Sequence, residues 1–179
     1  MVYPEQLEGM FVTLKSIDLD DAEFSYNIRQ DSTKNKYLHK VTGGVEKQRE
    51  WIKQQRQREG DYFFIVWNKK GERIGTIGVY NIVDDEGEGG RILINSDDPF
   101  SIFEASLLTS RFAFNVLKLA TIKGVIYAEN RRAIRFNKIV SGKLLPPEKN
   151  ENDEMIIRFE TTKDDFLLID KKISSIIYH

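Results

Sequence analysis

Short apolar runs and polar helical stretches alternate along the first third of the chain. Residues 10–15 (MFVTLK) are rich in β-branched and aromatic side chains and predict a short strand. From Asp18 the apolar residues follow helical spacing as far as Ile28, and acidic residues stand where the helix dipole favours negative charge. Residues 45–58 predict a second helix, which is very polar and has few apolar positions.

Strands dominate the middle of the chain. The apolar run YFFIVWN (62–68), a KKGE turn and the run RIGTIGVYNIV (73–83) together predict a hairpin. After an acidic turn at 84–88, RILIN (91–95) predicts the next strand. Helical spacing then begins at Ser101.

The last third of the chain alternates strands with helices. A buried strand is predicted at 124–128, and Asn130 is expected to cap the helix that follows. MIIRFE (155–160) predicts a final strand, and Thr162 is expected to cap the closing helix. Hairpin-linked strands followed by helical crossovers predict a mixed α/β sheet in a single domain, 1–179. Such a change of connection often leaves a cleft in the sheet, where ligands bind.

Composition narrows the class of protein. The chain has 179 residues, of which 40% are hydrophobic and 31% charged, as expected for one globular domain rather than a disordered chain. The formal net charge of −1 provides no extended cationic surface for nucleic acid, and the basic residues at 47–58 alternate with glutamates as on a solvated helix face. No apolar run approaches the roughly 20 residues that span a bilayer, so we expect a cytoplasmic protein.

Some reactive side chains are excluded or scarce. The chain has no cysteine, which excludes disulfides, thiolate metal sites and cysteine nucleophiles. Its two histidines, His39 and His179, do not make a convincing metal site, and we predict none. His39 falls in the loop before the second predicted helix, where it is either a base that works near neutral pH or a solvated loop histidine.

Several phrases, taken in order, resemble the GNAT acetyltransferase superfamily, in particular the branch of ribosomal-protein alanine and spermidine acetyltransferases. They are LEGMFVTLKSIDLDDAEF, YFFIVWNKKGERIGTIGVYNI, EASLLTSRFAFNVLKL, YAENRRAIRFNK and TTKDDFLLI. The resemblance implies an N-acetyltransferase that moves acetyl from acetyl-CoA to a primary amine by direct attack. The amine would belong to a small molecule, an amino sugar or nucleotide sugar, or a peptide N-terminus. Whether the chain forms a homodimer stays open.

The resemblance also implies where acetyl-CoA binds. The family holds it in a V-shaped gap between two parallel strands, which here are residues 91–95 and 124–128. Backbone groups of Leu93, Ile94 and Asn95 would pair with the pantetheine amides as if the cofactor were another strand.

The family's glycine-rich pyrophosphate loop is replaced in this chain by DDPFSI (97–102). Its two aspartates would repel a phosphate, and its proline lacks an N–H donor. Ser101 and Glu104 fit a capping box, which would occupy amides that an anion needs. Ser101 and Ile102 are the predicted cofactor contacts here, and the alternative is a well-capped helix start that touches no ligand.

Acetyl transfer needs a base for the amine, a donor for the oxyanion and an acid for the thiolate. Glu88 stands in a phrase similar to the family's Glu-x-Gly and is the predicted base, the alternative being an exposed glutamate in an acidic turn. Asn81 could orient a water or the substrate. Asn130 and Ala133 match the family's Asn-x-x-Ala motif and are predicted to contact the cofactor, although Asn130 also suits a helix cap. The tyrosine expected later in that helix is Asn137, which would either bind the sulfur or be a structural polar residue.

Two functions therefore stay open. The first is an acetyl-CoA-dependent N-acetyltransferase, whose acceptor site is shaped by the loop at 31–44 and the polar helix after it. The second is a non-catalytic GNAT-fold module that binds a partner or a nucleotide-like ligand, which the glycine-free loop and Asn137 favour. Tyr80 and Tyr127 are expected to be core aromatics in both cases.

Overall fold

The structure, a computed structural model, describes residues 1–30 and 42–178. His39, His179 and residues 31–41 of the predicted acceptor loop lie outside the described residues. Within the described ranges, no helix is long and apolar enough to cross a membrane. Nor do three or more histidine, aspartate or glutamate side chains in these ranges come together in a way that would hold a metal ion.

The elements of the first half run from two N-terminal strands to a three-stranded meander. They are strands β1 (Leu7–Glu8) and β2 (Val12–Ser16), a 3-10 turn (Leu19–Asp21), helices α1 (Ala22–Gln30) and α2 (Gly44–Gln55), and strands β3 (Tyr62–Asn68), β4 (Arg73–Val83) and β5 (Glu86–Ile94). The predicted hairpin at 62–83 is confirmed to the residue.

The second half alternates helices with strands, as the sequence predicts. Its elements are helix α3 (Phe100–Arg111) with a π-helical turn (Phe112–Val116), strand β6 (Thr121–Tyr127), helix α4 (Arg131–Val140), strands β7 (Lys143–Leu144), β8 (Glu148–Lys149) and β9 (Met155–Thr162), and helix α5 (Lys163–Ile177). The two-residue strands β1, β7 and β8 were not predicted, because two residues carry no period that a pattern can reveal.

The strand predicted at 91–95 begins earlier than expected. Residues 86–88, interpreted from sequence as part of an acidic turn, already belong to β5, as do the two glycines that follow them. Glycine and glutamate are poor strand formers, but β4 on one side and β6 on the other supply backbone partners for this segment. Pairing in the sheet therefore overrides local preference here.

Across the described residues the sheet has nine strands in the order β1-β2-β3-β4-β5-β6-β9-β7, with β8 also paired to β9. Every pair is antiparallel except β5 with β6. The predicted mixed α/β fold is therefore confirmed, with a meander joined to a single parallel crossover.

Helices cover both faces of the meander. On the face that α3 covers (the α3 side), Phe64 and Val66 of β3 pack with Phe112. On the opposite face (the α1 side), Phe63 and Ile65 pack with α1 and α2. A strand buried on both faces needs apolar side chains at successive positions, which explains the continuous run YFFIVWN.

The parallel pair separates part way along its length. Its register runs from Glu86↔Thr121 to Glu88↔Lys123 and then ends. Beyond that point β5 stays paired with β4, and β6 stays paired with β9 to the end of the strand. The predicted divergence of residues 91–95 from 124–128 is therefore confirmed, and we call its apex, at Glu88 and Lys123, the crotch.

A bulge in β5 accompanies the divergence. The register between β4 and β5 shifts between Thr76 and Gly78, and Arg91 adopts a left-handed backbone with φ of 56°. The Thr76 hydroxyl donates a hydrogen bond to the Arg91 carbonyl oxygen at 2.8 Å, which fixes the bulge from the side of β4. Because bulges bend a strand and increase its local twist, β5 turns away from β6 after the crotch.

The predicted capping box of Ser101 and Glu104 is wrong. Glu104 is fully buried, and its carboxylate accepts hydrogen bonds from the backbone N–H groups of Met10, Phe11 and Val12 at 2.6–2.8 Å. Gly9 leaves room for this carboxylate, because a Cβ there would lie 2.3 Å from the Glu104 Cδ. Three amides without strand partners hold the side chain more firmly than a helix terminus would, so Glu104 ties α3 to the start of β2.

We expect Glu104→Gln to lower the free energy of unfolding by roughly 2–3 kcal/mol, since an amide cannot replace both acceptor oxygens and leaves a buried donor facing donors. Urea denaturation measures the change. Glu151→Gln is the control, because Glu151 is an exposed glutamate in a turn. Equal unfolding midpoints for the two variants would contradict the anchoring role of Glu104.

Candidate active site

A narrow cleft lies under the diverging strands on the α3 side. It has a volume of about 40 Å³ and is lined by residues of β5, by Ser106, Thr109 and Ser110 of α3, by Asn137 and Val140 of α4, and by Ser141, which caps the end of α4. Its β5 wall begins with Gly89 and Gly90, whose bare Cα atoms expose the backbone of the strand. The open edge of β5 therefore faces a cleft between the sheet and two helices.

Backbone direction differs among the three β5 residues predicted to hold the cofactor. The Asn95 N–H donates to the Ile74 carbonyl oxygen at 2.7 Å, so this amide points towards β4. Because backbone groups of successive residues point to opposite edges of a strand, Leu93 also faces β4 and Ile94 faces the open edge. The side chains of Leu93 and Asn95 instead line a separate cavity beside α1, of about 480 Å³. Of the three, only Ile94 directs backbone groups at the open edge of β5, and Ile92, two residues earlier, lines the cleft.

The N-terminus of α3 is occupied by a carboxylate. Asp98 Oδ1 accepts a hydrogen bond from the Phe100 N–H, and its Oδ2 accepts one from the Ser101 hydroxyl, both at 3.0 Å. Ser101 is only 2% exposed, so its hydroxyl is turned into the protein. The predicted phosphate contact through Ser101 is therefore not available in this arrangement, and Ile102 is half-buried in the same first turn.

The Asn-x-x-Ala motif begins α4 as a helix cap. Asn130 Oδ1 accepts a hydrogen bond from the Ala133 N–H at 3.0 Å, which confirms the capping interpretation. Asn137 is buried at the cleft wall, where its amide donates to the Ala133 carbonyl oxygen at 2.9 Å and accepts from the Ser141 hydroxyl at 3.0 Å. Because both ends of this amide have partners within α4, the geometry favours a structural role for Asn137.

A larger cavity, of about 630 Å³, opens beside the crotch and is lined by Asn81, Glu86, Glu88 and Lys123 among others. Glu88 is opposite Tyr80 on β4 and Lys123 on β6, at the last position of the parallel register. Strand alternation directs its side chain to the α1 side, where it makes no hydrogen bond or ion pair with the described residues. The predicted base therefore lies at the crotch with its carboxylate available.

Two neighbours define the surroundings of Glu88. Burial raises the pKa of Tyr80, and the charge of Glu88 raises it further, so this phenol stays neutral. Asn81 has a left-handed backbone, with φ of 49°, in the β4 segment where the register with β5 shifts again. Asparagine tolerates this conformation better than most residues. The structure thus brings Glu88 and Asn81 to one cavity, whereas Asn137 lies on the other side of the sheet.

Phe159 of β9 lines both cavities. Its ring packs over Gly124 of β6, where a Cβ would lie 2.2 Å from the ring Cζ and 2.9 Å from the Gly89 carbonyl oxygen. Sequence reasoning missed this residue. The available signal was Gly124 itself, since a glycine inside a strand often marks the close approach of another group.

Asp61 and Arg91 connect the crotch to the rest of the fold. The Arg91 guanidinium binds both oxygens of Asp61, at 2.6 and 2.9 Å, and Asp61 is 1% exposed. The same guanidinium lies 4.1 Å above the Tyr80 ring and 5.3 Å from the rings of Trp51 and Phe63. This pair was not predicted, because neither residue stands in a pattern that distinguishes it from surface charge.

The electrostatic setting of Asp61 follows from this pairing. Burial by itself would raise the pKa of the Asp61 carboxyl, but the hydrogen bonds and charge of Arg91, with help from Gln55 and Arg58, outweigh burial and lower it. Asp61 therefore stays ionised and holds the bulged residue Arg91 in place.

Carboxylates outnumber cations around the larger cavity. Its lining includes four acidic residues at 84–88 together with Glu160, against Lys123 and Arg158. Lys123 is bound to Glu86 at 2.6 Å, and Arg158 is bound to Glu148. The local charge is therefore negative, and it favours a positively charged group in the cavity.

Known proteins share this fold. A family model described as an acetyltransferase (GNAT) domain matches residues 12–138. The structure is similar to apo FdhC, described as a nucleotide-linked sugar GNAT, at 22% identity and a TM-score of 0.76, covering 99% of this chain and 97% of that one. It is also similar to a GCN5-related N-acetyltransferase from Brucella melitensis, at 15% identity and a TM-score of 0.81, covering 97% and 85% of the two chains.

A further similar structure is a chimera of the SpeG spermidine N-acetyltransferase from Vibrio cholerae and hSSAT. It is 16% identical with a TM-score of 0.74, and the match covers 87% of this chain and 98% of that one. No curated protein sequence matches the chain. At these identities the solved structures show the fold alone.

We expect the free energy of unfolding to fall in acid because of Asp61. Its folded pKa is lower than its unfolded value of about 3.9, so its stabilisation is complete above that value and is lost as the pH falls through the folded pKa. Asp61→Asn should cost about 3 kcal/mol at pH 7 and flatten the dependence below pH 4. Urea unfolding between pH 7 and 3 measures both, with the exposed Asp97→Asn as control. A parallel pH dependence in the wild type and Asp61→Asn would contradict this account.

Proposed function

Because the chain belongs to the GNAT acetyltransferase family, we propose that it transfers an acetyl group from acetyl-CoA to a primary amine by direct attack. The observation that carries the proposal is the crotch, where a cleft on the α3 side and an acidic cavity beside Glu88 come within one aromatic ring of each other. A thioester entering from one side and an amine entering from the other would meet there.

The open edge of β5 suits the thioester arm. Ile94 directs its backbone groups into the gap, and Gly89 and Gly90 keep the edge free of side chains, so pantetheine amides can bond to it as an added strand. The small volume of the cleft implies that α3 and α4 move apart slightly on binding. The α3 terminus fits the phosphate groups poorly, since Asp98 already takes its first amide.

Glu88 is the proposed base. An amine is protonated near neutral pH and must lose a proton before its nitrogen can attack the thioester carbon. The amine passes this first proton to Glu88, directly or through a water. As the C–N bond forms and the C–S bond breaks, the nitrogen loses its second proton through water to the departing thiolate, which leaves as a thiol. Asn81 lies on the same cavity and is proposed to orient the amine or this water.

The negative charge of the larger cavity narrows the chemical class of the proposed acceptor. The carboxylates around the acidic cavity attract a cationic amine and repel an acceptor that carries a diphosphate. This supports a small cationic amine, such as a polyamine, over a nucleotide-linked sugar. The similarity to structures described as acting on either class does not decide between them.

A non-catalytic binding module is the second proposal. It is favoured by Asp98 at the α3 terminus and by Asn137, whose amide has no proton to give to a thiolate and is engaged within α4. The two functions differ in whether acetyl-CoA binds at all.

Acetyl-CoA at 100 times its Kd should stabilise the protein by about 2.7 kcal/mol, which corresponds to a rise in Tm of roughly 5–10 °C for a chain of this size. Thermal melting by fluorescence measures it. Ser110→Phe, which adds a ring to the cleft wall, should keep the fold and lose the rise. No rise in the wild type at millimolar acetyl-CoA would favour the binding module.

Glu88→Gln should lower kcat by about 10²- to 10⁴-fold, the usual contribution of a general base. Its Kd for acetyl-CoA should not change, since Glu88 faces the other cavity. Asp85→Asn is the matched control, because it removes one charge from the same cavity without touching the crotch. Similar losses of activity in both variants would indicate that Glu88 contributes only negative charge to the cavity and is not the base.

A further inference from the structure

The phosphate groups of a CoA-type co-substrate need free N–H donors or positive charge, and the α3 terminus offers them poorly. The Asp98 carboxylate binds the first amide of the helix and the Ser101 hydroxyl. Asp97, next to it, is exposed. Two negative charges at the place where a phosphate would approach make that approach unfavourable.

Basic side chains are concentrated instead on the neighbouring helix, α4. Arg131, Arg132, Arg135 and Lys138 are all exposed. Among the described residues, none of these four side chains has an ion pair or hydrogen-bond partner. Several arginines elsewhere are held by carboxylates, as in the Arg73–Asp21, Arg91–Asp61 and Arg111–Asp170 pairs. The cations of α4 are therefore not used in holding the fold together.

Two of these arginines border the seam between α3 and α4. The Phe136 ring lies 5.5 Å from the ring of Phe103, which is in the first turn of α3. Arg132 is one turn before Phe136 and so lies on the same flank of α4, and Arg135 is three residues after Arg132 and so adjoins it on the helix surface. The seam adjoins the cleft, because Ser106 lies one turn after Phe103 and Asn137 follows Phe136, and both line the cleft. A ligand that extends from the cleft along this seam would reach both arginines.

We propose that Arg132 and Arg135 bind the phosphate groups of the nucleotide part of the co-substrate, in place of the amides of the α3 terminus. The inference rests on the proposed function for the identity of the ligand. The planar guanidinium group suits this role, because it donates two parallel hydrogen bonds to a phosphate. Repulsion from Asp97 and Asp98 would direct the phosphates towards α4.

Adenosine 3′,5′-bisphosphate, acetyl-CoA and S-acetylpantetheine test the proposal by isothermal titration calorimetry. Arg132→Ala/Arg135→Ala should bind the first two about 10- to 100-fold more weakly than the wild type, the size expected for lost charge-assisted hydrogen bonds. S-acetylpantetheine, which has no phosphate, should bind both proteins equally. Lys171→Ala/Lys172→Ala is the matched control, because it removes two exposed cations from α5. Arg132→Lys/Arg135→Lys should recover part of the affinity.

Equal affinity of the wild type and the double alanine variant for the bisphosphate and acetyl-CoA would overturn the proposal. So would a loss that includes S-acetylpantetheine, since this would indicate a damaged cleft, or affinity for an oligonucleotide in the absence of bisphosphate binding. Failure of the proposed function has a different signature. In that case the wild type binds the bisphosphate through these arginines but transfers no acetyl group to any amine. The phosphate site is then supported and the acetyltransferase activity is not.

Discussion

The structure depends on one constraint. Beyond Glu88 and Lys123, β5 stays paired with β4 and β6 stays paired with β9, and the two strands are then no longer paired with each other. β5 follows β4 through a bulge at Arg91, whereas β6 follows β9 without interruption. The parallel ladder therefore ends at Glu88 and Lys123, and a row of backbone groups is left without strand partners inside the fold. Backbone groups without strand partners bond to water or to a ligand, so this half-buried edge is free to pair with a ligand.

The bulge is held from both faces of the sheet. On the α1 side, Asp61 binds Arg91 through two hydrogen bonds. The Arg91 guanidinium also packs against the rings of Trp51, Phe63 and Tyr80. On the α3 side, the core around Phe112 fills the space under β5. Glu88 stands three residues before this pinned position, so the placement of the proposed base is set by packing rather than by a loop. A site built on fixed strands holds its groups more accurately than one built on loops.

The sequence predicts the fold well because its main elements are long and strongly patterned. The run YFFIVWN and the spacing of apolar residues after Ser101 leave little choice of structure. The sequence predicts the site less well, because no local pattern indicates which side chains of distant segments contact each other. Glu104 matches a capping box by its spacing from Ser101. Its carboxylate instead accepts hydrogen bonds from three backbone amides at the start of β2. Ser101 fits a phosphate contact by position, yet Asp98 turns it inward. The segment 86–90 shows the same limit for secondary structure, since only its two neighbours make it a strand.

Phe159 has a consequence for which acyl groups the protein would accept. Its ring lines both cavities and packs over Gly124, so it would act as a partition between the proposed thioester side and the proposed amine side. A two-carbon acyl group ends before such a partition, whereas a longer chain has to push the ring out of a core that it shares with Ile122 and Phe166. The ring would thus favour short acyl groups over long ones. It would also keep bulk water on the amine side from hydrolysing the thioester before the amine binds.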